Sequence, residues 1–361
     1  MLDRQHSLPA ASATMRIRLK PLDQQVIVIT GATSGIGLVT ARTAARRGAR
    51  LMLVSRDEKA LSSLADELSR DRSDTVAYAV ADVGDREQLQ AAANEAISRF
   101  GGFDTWINNA GVSLYGRCVD VPLEDQRKLF DTNYWGVVNG SVVAVQHLRE
   151  RGGALINLGS ELSDVAIPLQ GAYVASKHAV KGFTDALRIE LADEHAPVSV
   201  TLVKPAGIDT LFVEHAKNYL DHEPKLPRPV YAPEVVAEAI LHAAAHPRRD
   251  IYAGGASRGM AWFGRSAPRA YDAMTSRLGV KAQLTSEPRR DGDSLYESGT
   301  GLRERSGRHG RVRERSFYTD AHTHPASARA ALMGIAGVLL LAAARRYVRE
   351  TQGRRLTRFL R

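Results

Sequence analysis

The chain has 361 residues, with 49 Lys and Arg against 40 Asp and Glu for a formal charge of +9, and 44% of its residues are hydrophobic. That apolar content rules out disorder throughout, and the length suits one large α/β domain with an appendage, or two small domains. The single cysteine, Cys118, excludes an intramolecular disulfide framework and a thiolate zinc site; it suits a reducing cytoplasm and reads as a small buried residue. The charge is unevenly placed: up to Val280 there are 32 basic and 32 acidic residues, and from Lys281 onward 17 basic and 8 acidic. The body is neutral and the tail carries the excess.

In chain order, residues 1–21 lack an apolar run of signal-peptide length and read as a poorly ordered leader. Residues 22–280 form the expected main domain. Short β-branched runs alternate there with longer helical stretches, the pattern of parallel strands joined by crossover helices. The expected strands are 26–30, 51–54, 75–80, 105–108, 154–158, 198–203 and 250–253. Several are apolar on consecutive positions, as strands covered on both faces should be. Helices are expected over 36–47, closed by Gly48, and over 85–100, closed by Gly101 and Gly102. Between Thr210 and Tyr231, prolines at 224, 227 and 229 mark an excursion over the surface. The fold class is α/β: a Rossmann-type doubly wound sheet of about seven parallel strands with helices on both faces.

Residues 281–328 are polar, with six arginines between Arg303 and Arg315, and read as a linker. Interleaved Glu304 and Glu314 and the lack of aromatic residues in the arginine run favour a solvated linker over a nucleic-acid contact. Residues 329–361 read as an apolar helix and basic tail: Ala330–Ala344 has no polar side chain, and seven arginines follow. Fifteen residues extend about 22 Å, short of a hydrocarbon core of roughly 30 Å. The run points to membrane association by shallow insertion or a hairpin-like dip rather than a single span, which would also violate the positive-inside tendency. A cytoplasmic location, at the membrane surface, follows as the expectation.

Thr30-Gly31-Ala32-Thr33-Ser34-Gly35-Ile36-Gly37 lies where the first strand passes into the first helix. A glycine-rich turn there brings backbone N–H groups to a pyrophosphate. Gly31 allows the sharp turn, Gly35 close approach, and Gly37 helix–strand packing. At the end of the second strand an NAD site would carry an acidic residue; this chain has Ser55-Arg56, a hydroxyl and a guanidinium suited to a 2′-phosphate. NADP(H) is therefore expected over NAD(H). Asp82 and Val83 close the third strand and Asn108-Asn109-Ala110-Gly111 the fourth, both at the sheet edge where ligands bind in this architecture.

Tyr173 and Lys177 lie four apart on an expected helix and share a face. Bringing a tyrosine from about 10 to about 7 needs roughly 4 kcal/mol of preferential phenolate stabilisation. A nearby ammonium and an oxidised nicotinamide can supply it, making Tyr173 a general acid in reduction and a general base in oxidation. Ser160 follows the 154–158 strand, and Asn133 lies in the preceding helical segment.

With these residues the chain resembles a short-chain dehydrogenase/reductase of the single-domain branch, over roughly residues 22–255. Thr30 to Gly37 matches the family's T-G-x-x-x-G-x-G, Asn108 to Gly111 its N-N-A-G, and Asn133, Ser160, Tyr173 and Lys177 its tetrad. The resemblance implies that Lys177 also binds the nicotinamide ribose and that Asn133 holds a water linking Lys177 to solvent. It implies that Ser160 orients the carbonyl or alcohol, and that the protein is a homo-oligomer. After the sixth strand the chain reads Lys204-Pro205-Ala206-Gly207-Ile208-Asp209-Thr210, with the family's Pro-Gly glycine displaced. Pro205, Ile208 and Thr210 complete the expected cofactor contacts, the Ile208 backbone facing the carboxamide by resemblance. Apolar Leu162, Val165, Ile167, Pro168, Leu211 and Phe212 suggest a hydrophobic alcohol or ketone as the small-molecule substrate. Glu161 and Asp164 offer polar selection. The competing reading is a noncatalytic NADP-binding scaffold associated with a membrane.

Overall fold

A computed structural model describes residues 17–70, 73–299 and 301–323. Seven parallel strands form the central sheet: β1 (Val26–Thr30), β2 (Arg50–Ser55), β3 (Val76–Val80), β4 (Thr105–Asn108), β5 (Gly153–Leu158), β6 (Val198–Pro205) and β7 (Asp250–Ala253). Their order across the sheet is β7-β6-β5-β4-β1-β2-β3, so the direction of winding reverses between β1 and β4. All seven expected strands are present, and the α/β doubly wound class holds.

Period-two geometry sends alternate side chains to opposite faces. Ile27 and Ile29 enter one apolar layer with α1 (Gly35–Arg46), α2 (Glu58–Ser69) and α7 (Pro233–Ala245). Val26 and Val28 enter the other, against α3 (Arg86–Phe100), α5 (Gly136–Arg151) and α6 (Gly171–Asp193). Helix starts are set locally: Asp57 accepts from Ala60 N at 3.0 Å and Asp85 from Gln88 N at 3.1 Å. Gly101, at φ +79°, closes α3 in the left-handed region. α4 (Leu123–Phe130) runs into α5 through a π-helical turn at Asp131–Trp135. Such turns are rare and favour functional sites.

The structure differs from expectation beyond β7. α8 (Gly255–Ser266) and α9 (Pro268–Ala282) follow it, and the described part of the expected linker, 281–299 and 301–323, is seated on the body. Leu284–Pro288 pairs with His222–Pro224, Val312–Arg313 with Val230–Tyr231, and α10 (Phe317–Thr323) packs against α7 and β7. Composition suggested a solvated chain because its charges are dense, yet several of them meet opposite charges on the body. Glu304 pairs with Arg42 at 2.7 Å, Arg305 with Glu234 at 2.7 Å, and Arg303 and Arg308 both with Glu214 at 3.4 Å. Leu295, fully buried, supplies an apolar anchor. Cys118 is also not as expected: it is exposed, because it follows Arg117 on a surface turn. No described helix is long and apolar enough to cross a membrane; the 330–344 run lies outside the described residues, as do residues 1–16 of the leader.

Candidate active site

The winding reversal opens a cleft at the C-terminal ends of β1 and β4, and the glycine turn forms its floor. Gly31 (φ +65°) and Gly35 (φ +51°) take left-handed conformations that L side chains rarely adopt. A Cβ on Gly31 would lie 2.9 Å from Ala110 Cα, so the β1 turn and the Ala110-Gly111 segment touch backbone to backbone. Gly37 does not line the cleft. A Cβ there would come within 2.0 Å of the Gly31 carbonyl oxygen, which makes it the helix–turn packing glycine.

Most expected cofactor residues line this cleft: Gly31, Thr33, Ser34, Gly35, Ile36, Ser55, Arg56, Asp82, Val83, Asn109, Ala110, Gly111 and Thr210. The Thr33 and Ser55 hydroxyls lie 2.9 Å apart. Asn109 spends its amide on the Thr30 and Gly31 carbonyls at 3.0 and 3.1 Å, fixing the turn. Asn108 is purely internal, donating to Asn157 Oδ1 at 2.8 Å. Asp82 Oδ1 accepts from Gly84 N at 2.9 Å, while Oδ2 faces Lys128 at 3.4 Å. Ser113 Oγ and Thr132 Oγ1, on two further lining residues, are buried without a hydrogen-bond partner among the described atoms. Buried hydroxyls of that kind ordinarily have partners. With the glycine cradle, they fit a polar ligand such as a dinucleotide.

A second cavity continues from the cleft past Ile36, Asn109, Gly111 and Thr210. Ser160, Tyr173, Lys177, Pro205 and Ile208 line it, so three members of the tetrad converge on one wall. Asn133 stands behind that wall, fully buried in the π turn. Its amide donates to Val112 O at 2.9 Å and Ser176 Oγ at 3.2 Å, and its Oδ1 accepts from Val112 N at 2.8 Å. A Cβ on Gly111 would lie 3.4 Å from Asn133 Oδ1 and 3.9 Å from Lys177 Nζ, so the two groups approach the same glycine. Ser160 is held by its own turn, Leu162 N donating to its Oγ at 3.1 Å.

Lys177 Nζ donates to Leu158 O at 2.8 Å and lies 5.7 Å from the Tyr173 ring centroid. Burial lowers the Lys177 ammonium to about 8. Burial likewise pushes the Tyr173 phenol well above its ordinary value, more than its hydrogen bond with Ser160 pulls it down. In the protein's own field Tyr173 is therefore a proton donor at neutral pH, and no protein group by itself brings it to about 7. Burial also pushes the Glu161 carboxyl up to about 7.

Of the expected substrate-side residues, Leu162, Ile167 and Phe212 line the second cavity, whereas Leu211 lines the cofactor cleft. Val165 packs into the core beneath Gly264, and Pro168 lies against Gly279 of α9. Asp164 is absorbed by Lys181 and by Lys204 at 3.0 Å, with Tyr252 donating at 2.9 Å. The proline-bearing excursion after Thr210, expected on the substrate side, reaches the second cavity through Leu226, Pro227, Arg228 and Pro229; sequence reasoning missed Ala256 and Met260 of α8, which complete that cavity, and Ser294, Ser298 and Gly299, which wall the first. Leu295-Tyr296, an apolar pair inside a polar stretch, was the available signal for the last group.

The short chain dehydrogenase family profile matches residues 25–220. The chain is 46% identical to the uncharacterized oxidoreductase YxnA of Bacillus subtilis (strain 168) over 336 residues, 92% of this chain and 93% of that protein. Two solved structures share the fold at 27% identity. One is a short chain dehydrogenase/reductase from Burkholderia phymatum in complex with NAD (TM-score 0.63, covering 70% of this chain and 96% of that one). The other is a short chain dehydrogenase from Burkholderia cenocepacia J2315 in complex with NADP (TM-score 0.59, covering 72% and 99%). The chain belongs to the short-chain dehydrogenase/reductase family and is an oxidoreductase of that class.

Proposed function

We propose that this protein is an NADP(H)-dependent oxidoreductase that interconverts a hydrophobic alcohol and its ketone or aldehyde. The observation that carries the reading is the meeting of Ser160, Tyr173 and Lys177 on one cavity wall, continuous with a glycine-floored cleft that ends at Ser55 and Arg56. When bound, the cofactor supplies the hydride donor or acceptor. Gly31, Ser34, Gly35 and Ile36 would hold its pyrophosphate region, Arg56 and Ser55 its 2′-phosphate, and Lys177 its nicotinamide ribose.

In the reductive direction Ser160 Oγ orients the substrate oxygen and the Tyr173 phenol delivers the proton. Lys177 draws a phenolate's charge toward itself. Asn133 is a positioning residue: it ties the π turn to Val112 and so fixes the wall on which Lys177 rests. Leu162, Ile167, Phe212 and Met260 favour an apolar substrate body, and Glu161 and Gln170 are polar groups among them.

The test is a panel of medium- and long-chain ketones and alcohols, followed by NADPH oxidation and NADP reduction with the full chain. Turnover with apolar ketones and a kcat/KM preference for NADPH of about tenfold or more supports the reading, tenfold being about 1.4 kcal/mol of discrimination. Preference for NADH would remove the cofactor assignment, and inactivity across the panel would remove the substrate class. Membrane association through 330–361 and assembly as a homo-oligomer are proposed on the sequence and the resemblance alone. Fractionation without detergent, with the chain intact and cut after Thr300, tests the former; equal solubility of the two speaks against it.

A further inference from the structure

Residues 294–299 lie where the cofactor cleft meets Arg56, and their contacts are specific. Ser294, Ser298 and Gly299 line the cleft together with Ser34, Ser55 and Arg56. The Arg56 guanidinium donates to three carbonyl oxygens of this segment: Ser294 at 3.0 Å, Tyr296 at 3.1 Å and Glu297 at 2.8 Å. Carbonyl oxygens orient a guanidinium without cancelling its charge. The contrast with two other arginines bound to the same C-terminal region is direct. Arg42 is paired with Glu67 and Glu304, and Arg305 with Glu234 and Glu314. Among the described residues no carboxylate pairs with Arg56, and of the five guanidinium N–H groups two remain free to donate.

The segment is a built wall rather than a draped tail. Leu295 is fully buried in the apolar cluster that also holds Tyr173 and Val112. The Tyr296 hydroxyl donates to Asp125 Oδ1 at 2.5 Å, and its ring lies 5.2 Å from Lys217 Nζ. Ser294 N donates to His215 O at 2.9 Å. A Cβ on Gly299 would lie 2.6 Å from the His215 ring, so a larger residue there must displace that imidazole or the wall. Downstream, Arg303 O accepts from Gly35 N at 2.9 Å, tying the chain to the glycine turn itself.

We infer that residues 294–299 are a specificity-determining part of the cofactor site: by holding Arg56 through neutral acceptors they aim an uncompensated cation at a 2′-phosphate, and so favour the phosphorylated dinucleotide. The inference rests on the NADP(H) reading above. An unsupported arginine would still attract phosphate, but it would first have to give up its rotamer freedom. The wall makes that ordering part of folding. A hydrogen bond to a charged group is worth roughly ten- to a hundredfold in affinity, which sets the scale of the expected effects.

The experiment is a titration of NADPH and of NADH, followed by nicotinamide fluorescence, on the full chain and on Arg56→Ala, Tyr296→Ala and their combination. Tyr296 is 51% exposed, so its truncation leaves the core intact. Arg56→Ala should weaken NADPH at least about tenfold and NADH by less than about twofold. Tyr296→Ala should weaken NADPH selectively, by about three- to tenfold, and the double variant should be no weaker than Arg56→Ala within about twofold, because both act through one guanidinium. Gly299→Val, which displaces the wall from its other end, should move in the same direction as Tyr296→Ala. If Arg56→Ala discriminates and neither wall variant does, or if loosening the wall tightens NADPH, the wall is not a specificity element and the inference falls. If Arg56→Ala itself leaves NADPH unchanged, the failure belongs to the NADP(H) reading, and the inference falls with it.

Discussion

The two ends of the cleft are built by different means. At the reacting end, Ser160, Tyr173 and Lys177 come from one strand end and one helix, within eighteen residues, and their chemistry is set by burial: the lysine lowered, the tyrosine and Glu161 raised. At the far end, Arg56 is met by carbonyls about 240 residues downstream, and hydrogen bonds to Asp125 and His215 and one buried leucine hold that wall in place. On the proposed reading, a compact motif sets reactivity by desolvation, whereas a long-range contact aims a charge. The first should resist surface perturbation, and the second should respond to it.

The largest expected effect tests the reacting end. Tyr173→Phe removes the proton donor without changing the packing against Phe212, whose ring lies 5.2 Å away. Turnover should fall by roughly 10²–10⁴-fold with NADPH affinity held within about twofold; unchanged kcat in stopped-flow assays would end the acid/base role. Next, Gly37→Ala places a methyl 2.0 Å from the Gly31 oxygen, and the turn must move to admit it. Overpacking of this kind costs about 1–3 kcal/mol or more, so both dinucleotides should bind at least about tenfold more weakly, and chemical denaturation should show the loss of stability.

Leu295→Ala tests the far end. Truncating a fully buried leucine costs about 2–5 kcal/mol where the structure cannot collapse. If the wall opens as a local unit, that loss should be read mainly as faster tryptic cleavage at Arg289, Arg290 and Arg303, with a smaller fall in global melting temperature. A uniform loss of the whole fold with no early cleavage would mean that the wall and the body form one cooperative unit, which would erase the contrast between the two ends.

The smallest effect concerns Glu161. Its folded value of about 7 lies above the ordinary 4.5, so between these pH values the folded state binds more protons than the unfolded one, and stability falls as pH rises through the window. Glu161→Gln should flatten that part of the melting profile and raise the melting temperature by about 4 °C at pH 8, with little change at pH 4. A profile identical to that of the parent chain would show that the carboxylate is solvated.

Much of this was legible from local pattern. Gly31, Gly35 and Gly37 follow directly from a strand-to-helix turn, and the Tyr173–Lys177 pair from a four-residue helical spacing, because such features depend on neighbours within a few residues; Asn133 and Ser160 joined that pair through the family resemblance. Alternating β-branched runs and helical stretches likewise announced seven strands, several of them apolar on consecutive positions. What was not legible depended on partners far along the chain. Asp164, read as a pocket group, is claimed by Lys181 and Lys204. Arginines 303, 305 and 308, read as solvated, meet Glu214 and Glu234 on the body. The similarity to YxnA, covering 92% of the chain, takes in this C-terminal segment, whereas the family profile ends at residue 220. The amino-acid sequence by itself determined the sheet, the glycine turn and the Tyr173–Lys177 pair proposed to react, since period, backbone freedom and helical spacing are properties of short stretches. Only the tertiary structure decided that residues 294–299 wall the cleft and that the basic run after them pairs with the body, because the burial of a single leucine and the pairing of charges are settled by what lies opposite them in space.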